Sequence, residues 1–331
     1  MKTLLNILAI TSVIANFMFS QSNLSIVSQL GSANLSSSIQ NGGDNQSRIE
    51  QVGDANESSV TDYGDKNLVT GAFFHAFNVP NSSFSFPAPM LGDGISQLGS
   101  YNKAAINQTG DFNKASIGQI GNDNAAVIFQ SVNPVLPGNN NSGIDQLNGN
   151  ENIFYHIQIG TNEEVFALQN GNNNYSHIEQ YNLNSRSEIV QNGNYNNLYQ
   201  YQFGSAENYN DGSYNISNAY LIGNSNYAYQ NQVGKNNYSN IASIGCSNGT
   251  PGGEIKTSQT GNLNSASIEE GLLGNIDDNS ASILQIGNIN NAQISQESGN
   301  MNSAKISEST DNNKAKIVQT GSMNLTVILQ K

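Results

Sequence analysis

Few side chains in this sequence could do catalytic chemistry, and their spacing does not favour it. His75, His156 and His177 are the three histidines; they show no metal-ligand spacing and read as ordinary surface residues. Cys246 is the single cysteine, with no histidine or asparagine set to make it a nucleophile, and reads as a small turn residue beside Gly245. The acid pairs Glu163-Glu164 and Asp277-Asp278 read as solvated turn charges rather than a general acid and base. Asn41-Gly-Gly-Asp-Asn45 is close to a calcium-binding glycine-rich repeat but lacks the run GGxGxD. No catalytic, cofactor-binding or metal-ligating set is expected, and no cofactor is needed. What recurs instead is the carboxamide. A glutamine both donates and accepts, so glutamines stacked along an axis can hydrogen-bond to one another indefinitely.

The glutamines keep time. Residues 97–129 read QLGSYNKAAIN, QTGDFNKASIG and QIGNDNAAVIF, with QSVN opening a fourth copy. Counting each glutamine as zero, Gly stands at +2, Asn at +5, Ala at +7, Ile at +9 and the next Gln at +11. The zero place holds Gln29, Gln40, Gln51, Gln97, Gln108, Gln119, Gln130, Gln158, Gln169, Gln180, Gln191, Gln202, Gln232, Gln259, Gln285, Gln319 and Gln330. Asp62, Leu221, Ser243, Glu270, Gln296 and Glu308 fall in the same place. The +5 place holds Asn34, Asn45, Asn56, Asn102, Asn113, Asn124, Asn264, Asn290 and Asn324. The aliphatic place holds Ile49, Ile106, Ile117, Ile128, Ile178, Ile189, Ile268, Ile294 and Ile328, and the turn place Gly31, Gly53, Gly99, Gly110, Gly121, Gly160, Gly171, Gly193, Gly261, Gly287 and Gly321. Ile39 falls one residue late, so the first rung is imperfect.

These residues need an element to position them. Places +7, +9 and +11 alternate, which is the period of a strand with one face inward. Gly and Asn supply the turn. One short strand and one tight turn cannot bury a face alone, so each unit must stack on copies of itself. The fold expected is all-β: a β-solenoid of strand-turn units, about 11 residues each and 22 per coil, with amyloid-like cross-β stacking. About two dozen units give roughly a dozen coils and a stack about 55–60 Å long. Inside, amides fix the register and aliphatics drive the packing, at roughly 1.5–3 kcal/mol per fully buried Ile.

Composition agrees with export and with little else. Charged residues make up 11% and Trp is absent, while the fixed period argues against a disordered Asn/Gln-rich tract. A net charge of −13 makes nucleic acid an unsuitable partner. Met1–Ser20 reads as a secretory signal peptide cleaved near Ser20–Gln21, with an apolar run too short and interrupted to span a membrane. Residues 21–331 are then repeats, with insertions near 70–96, 134–145, 205–220, 249–257 and 271–279. The first of these is rich in Phe and Pro and is expected to project as a loop; Phe73, Phe74, Phe77, Phe84 and Phe86 could bind a partner or fold back on the outer face. Tyr175, Tyr195, Tyr199 and Tyr201 add aromatic surface further on. Neither end of the repeats shows a capping helix or a charged, Pro-rich stop, so head-to-tail addition of copies is expected.

The Gln-x-Gly-x-x-Asn-x-Ala spacing, followed by Ile and another Gln, resembles the curlin repeat of curli fibre subunits. QLGSYNKA, QTGDFNKA and QIGNDNAA within Gln97–Gln130 match most closely, and the resemblance extends over Ser25–Lys331 outside the loops. It implies an extracellular functional amyloid, of the pilus-like fibres that make biofilm matrix and mediate adhesion. A surface nucleator and an outer-membrane secretion pore with accessory proteins would be its partners. The chain departs from that pattern in having many more coils and at least three loops. The alternative is a monomeric solenoid adhesin that presents its aromatic loops to a surface ligand.

Overall fold

The computed structural model describes residues 22–69, 77–78, 85–86, 94–131, 140–147, 149–181, 183–204, 214–246, 254–271 and 279–331. The expected leader Met1–Ser20 and most of the Phe-rich segment lie outside the described residues, as do His75 and Asp277-Asp278. The described residues form strands and arcs and no helix.

Successive strands go to opposite walls. Leu24–Leu30, Gln46–Val52 and their successors through Lys314–Thr320 make one parallel sheet, the first. Leu35–Asn41, Glu57–Tyr63 and their successors through Leu325–Gln330 make the second, also parallel. One strand from each sheet makes a coil, and the next coil lies on it in register, as Gln108 lies on Gln130. The alternation decides which side chains are inside: in Lys103–Thr109 the residues Ala104, Ile106 and Gln108 are buried and those between them face out.

The arcs continue the ladder instead of interrupting it. The Ala55 N–H donates to the Ser32 carbonyl at 2.9 Å and the Tyr101 N–H to the Asp54 carbonyl at 3.0 Å, one coil to the next. Two conformations recur in most of the arcs. The +2 glycine has a positive φ, +127° at Gly99, and the +4 residue is left-handed, at 59° in Tyr101 and 61° in Phe112. Glycine at +2 answers a contact as well as a turn: a Cβ on Gly99 would lie 1.9 Å from the carbonyl oxygen of Gly121 in the next coil.

Four of the expected insertions are narrower than their composition suggests. Ile95–Leu98 is a strand, and with Leu68–Val69 it completes a single rung between Gln46–Val52 and Lys114–Ile120. Asn141–Asp145, Ile216–Tyr220 and Glu254–Thr257 also pair in register with their neighbours. Each stretch is rich in residues that mark turns or lacks a glutamine ahead of it. Stacking on a well-formed neighbour supplies the strand that local sequence does not. Cys246 closes the strand Tyr238–Cys246 rather than lying in a turn.

Candidate functional site: amide ladders and open strand edges

The zero-place glutamines meet along the axis. In the second sheet Gln108 Nε2 donates to Gln130 Oε1 at 2.8 Å, Gln130 to Gln158 at 2.8 Å and Gln158 to Gln180 at 3.0 Å. The series continues through Gln202, Gln232 and Gln259 to Gln285, with no step longer than 3.0 Å. The amide's other hydrogen crosses the core: Gln130 Nε2 donates to the Lys114 carbonyl at 3.0 Å and Gln232 Nε2 to the Ile216 carbonyl at 2.9 Å. An amide bonded in both directions therefore fixes both the rise and the distance between the sheets. In the first sheet Gln29, Gln51, Gln97 and Gln119 are joined in the same way, as are Gln169 with Gln191 and Gln296 with Gln319. Leu221 and Ser243 interrupt that ladder.

The asparagines knit the arcs. The Asn124 backbone N–H donates to Asn102 Oδ1 at 3.2 Å, while Asn124 Nδ2 donates to the Gly149 carbonyl at 2.9 Å. One side chain thus holds the coils on either side of it. Asn45, Asn56 and Asn264 make the corresponding bond to Gly64, Gly99 and Gly287. Asn113 and Asn290 are buried at the same place, and Asn34 and Asn324 are half-buried in the end coils.

Ile49, Ile106, Ile117, Ile128, Ile178, Ile189, Ile268 and Ile294 are buried in one continuous core, with Ile328 packed against its end. Two features of this interior do not follow from residue type. Gln200 and Gln230 replace the aliphatic residue and add a second buried amide pair, at 2.6 Å. His156 stands between Ile128 and Ile178 and is 1% exposed, so it is a core residue and not a surface one. It packs edge-on against Phe154, and burial, with His177 next, lowers its pKa to about 3. His177 lies on the outer face, 2.7 Å from Glu179. Glu163 also differs from its reading as a solvated charge: it is buried, in the +5 place of its unit. The signal for both was position in the eleven-residue count, which outranks residue type in deciding what faces inward.

Among the described residues, both ends of the stack are open strand edges. Leu24–Leu30 and Leu35–Asn41 have a strand on one side only, and so do Lys314–Thr320 and Leu325–Gln330. Gln29, Gln40 and Gln330 are half-buried, whereas interior ladder glutamines such as Gln108 and Gln130 are fully buried. A Cβ added to Gly321 would meet nothing nearer than Asn324 Nδ2 at 3.9 Å, because no described coil covers it.

On the outer face of the second sheet, aromatic rings stack from coil to coil. Tyr175 and Tyr199 lie 5.4 Å apart, Tyr199 and Tyr227 5.8 Å, and Tyr201 and Tyr229 5.7 Å, with the Lys256 ammonium 4.9 Å from the Tyr229 ring. Tyr195 is not part of this face; it is a left-handed arc residue.

A family described as the Curlin associated repeat matches residues 99–131 and again 277–307. No curated protein matches the chain.

Proposed function

Taking the chain as a curlin-repeat protein, we propose that it is a secreted subunit that polymerises head to tail into extracellular amyloid fibres. The observation that carries this reading is the match between its two open edges. Laid on Lys314–Thr320 in the register of the interior coils, Leu24–Leu30 of a second copy brings its Gln29 over Gln319, its Gly31 over Gly321 and its Asn34 over Asn324. Leu35–Asn41 of that copy lies on Leu325–Gln330, with its Gln40 over Gln330. The ladder direction is preserved: Nε2 of Gln319 and Gln330 would point at Oε1 of Gln29 and Gln40 of the next copy, as Gln296 Nε2 points at Gln319. Each junction then gains two strands of backbone hydrogen bonds, about 1 kcal/mol apiece net, and covers a core that is half-open at both ends.

In this reading the working residues are the ladder amides, the aliphatic row and the arc glycines. The fibre would serve as biofilm matrix and surface adhesin, started on a surface nucleator after passage through an outer-membrane pore; these partners follow from the resemblance to curli subunits. A second reading, a monomeric adhesin, rests on the aromatic face from Tyr155 to Tyr229, which a surface ligand could meet directly.

Dilution of residues 22–331 out of denaturant separates the two. Seedable, concentration-dependent growth of fibres with a meridional reflection at about 4.7–4.8 Å supports the polymer. A strand-rich chain that stays monomeric at every concentration overturns it and leaves the adhesin.

A further inference from the structure

Three ladder places hold a carboxyl where the repeat puts an amide. Asp62 lies between Gln40 and Gln108, Glu270 between Ser243 and Gln296, and Glu308 between Gln285 and Gln330. Their exposures are 0%, 2% and 0%. Among the described residues no cation faces any of them. Around Asp62 the ionisable side chains are Glu57 and Tyr63 on its own strand, Lys103 on the strand above, Arg48 and Glu50 on the facing sheet, and Asp65 and Lys66 on the arc that follows; none is in an inward place. Around Glu270 they are Tyr238, Glu254, Lys256, Glu269, Glu297 and Lys305, again off the inward places. Around Glu308 they are Lys305, Lys314, Lys316, Lys331, Glu297 and Asp311, and the four lysines are exposed.

The rungs that follow these carboxyls share a defect. Within the ladders a glutamine that follows a glutamine accepts at Oε1 from the Nε2 of the rung before, as Gln130 does from Gln108. Gln108, Gln296 and Gln330, which follow the three carboxyls, each have a buried Oε1 with no donor. Oε1 of Glu270, Oε1 of Glu308 and both oxygens of Asp62 also lack a partner. So acceptor follows acceptor at all three steps. A proton between them turns such a step into a hydrogen bond without turning over the amides that follow.

We propose that Asp62, Glu270 and Glu308 are proton-loaded rungs: each carboxyl is neutral in the stacked chain and donates its O–H along the axis to the glutamine Oε1 of the next coil, so the ladders close under mildly acidic conditions and loosen as these groups ionise. Glu has the reach of Gln and still accepts from the rung before, as Glu308 Oε2 does from Gln285 at 2.8 Å. Asp62 is one methylene shorter, so its rung is the weakest. Burial drives all three in the required direction. It pushes Asp62 up to about 7, Glu270 up to about 8, and Glu308 upward against the hydrogen bond from Gln285. A carboxyl raised in the folded state holds a proton that the unfolded chain releases near its ordinary value of about 4. The stabilisation is therefore complete below about pH 4 and declines above it, the share of Asp62 and Glu270 being lost as pH rises through about 7–8.

The inference concerns the coils of one chain and stands or falls whether or not copies join. Its test compares guanidinium unfolding of the chain at about pH 5 and about pH 8.5, with infrared detection of the carboxylic-acid C=O stretch at about pH 6. The midpoint is expected to fall with rising pH, and the acid band to be present. Asp62→Asn, Glu270→Gln and Glu308→Gln together should remove at least half of the fall and most of the band. A control removing the same charge from exposed places, Asp123→Asn with Glu151→Gln and Asp54→Asn, should retain both. Glu308→Gln alone, which restores the residue of the repeat near one end, should remove part of the fall. Absence of the acid band overturns the proposal. So does a ladder variant that keeps the whole fall, or a control that loses as much of it.

Discussion

Gly99 and Gln130 show how little freedom a single place in the repeat has. The Gly99 φ of +127° and the Gly121 carbonyl oxygen, 1.9 Å from where a Cβ would stand, act together, so relaxing one does not relieve the other. Gly99→Ala should cost roughly 2–4 kcal/mol, read as a lower denaturation midpoint. Gln130→Leu keeps the volume and removes the polarity. It leaves Gln108 Nε2 without its acceptor and Gln158 Oε1 without its donor, both buried. With about 1–3 kcal/mol for each of these two orphaned groups, the expected loss is about 2–6 kcal/mol. Replacing Gln97, Gln108 and Gln119 by Leu together should slow fibre growth for the same reason; unchanged growth would contradict stacked amides. The left-handed +4 residue is the opposite case. Phe112, Leu263, Ile289 and Met323 all occupy it, none of them a residue that favours that conformation. Nothing in their types announces the strain; the arc hydrogen bonds and the asparagine at +5 impose it.

At the scale of the strand, the rung divided between Leu68–Val69 and Ile95–Leu98 is the informative element. Val69 pairs with Ser47 and Ile95 with Ile49, so one residue opposite Arg48 completes the rung, and Gly94 is there to do it. A Cβ on Gly94 would lie 2.2 Å from the Arg48 carbonyl oxygen, which is why the chain re-enters on glycine. Excising residues 70–93 should leave Val69-Gly94-Ile95 as a continuous strand. Circular dichroism and the unfolding midpoint are expected to stay within about 1 kcal/mol of the parent chain. A collapse of strand content would mean that the inserted segment itself holds the rung. Phe and Pro content marks this insertion in the sequence, yet the bounds it suggests take in Ile95 and Ser96, because a four-residue strand carries almost no periodic signal. The same holds for Ile216–Tyr220, where no glutamine stands ahead to set the count.

Over the whole molecule, the two ends differ in what they tolerate. Gly31 is already covered, its Cβ position 1.9 Å from the Gly53 carbonyl oxygen, whereas Gly321 is open. If a second copy stacks as proposed, Gly321→Ala places a methyl group against the Gly31 carbonyl of the incoming chain. It should slow elongation at least several-fold while lowering the solenoid's own stability by only about 1 kcal/mol of backbone strain. Gly31→Ala should destabilise the first coil itself. Equal elongation by Gly321→Ala and the parent chain, followed by thioflavin fluorescence from matched seeds, would remove the register proposed for the junction.

The eleven-residue count by itself determined the solenoid. Each unit is too short to bury its inward face, so repeats of Gln, Asn, Ala and Ile in register permit only stacked coils, and the all-β class, the coil length and the inward row were legible from Gln97–Gln130 alone. Tertiary structure decided what depends on the neighbour above and below. It buried His156 and Glu163, because place in the coil overrides polarity. It made strands of Asn141–Asp145 and Glu254–Thr257, because a formed sheet edge templates weak sequence. It also left Asp62, Glu270 and Glu308 as carboxyls in line with amides, where the direction of the ladder, invisible in any one unit, determines whether a proton is needed.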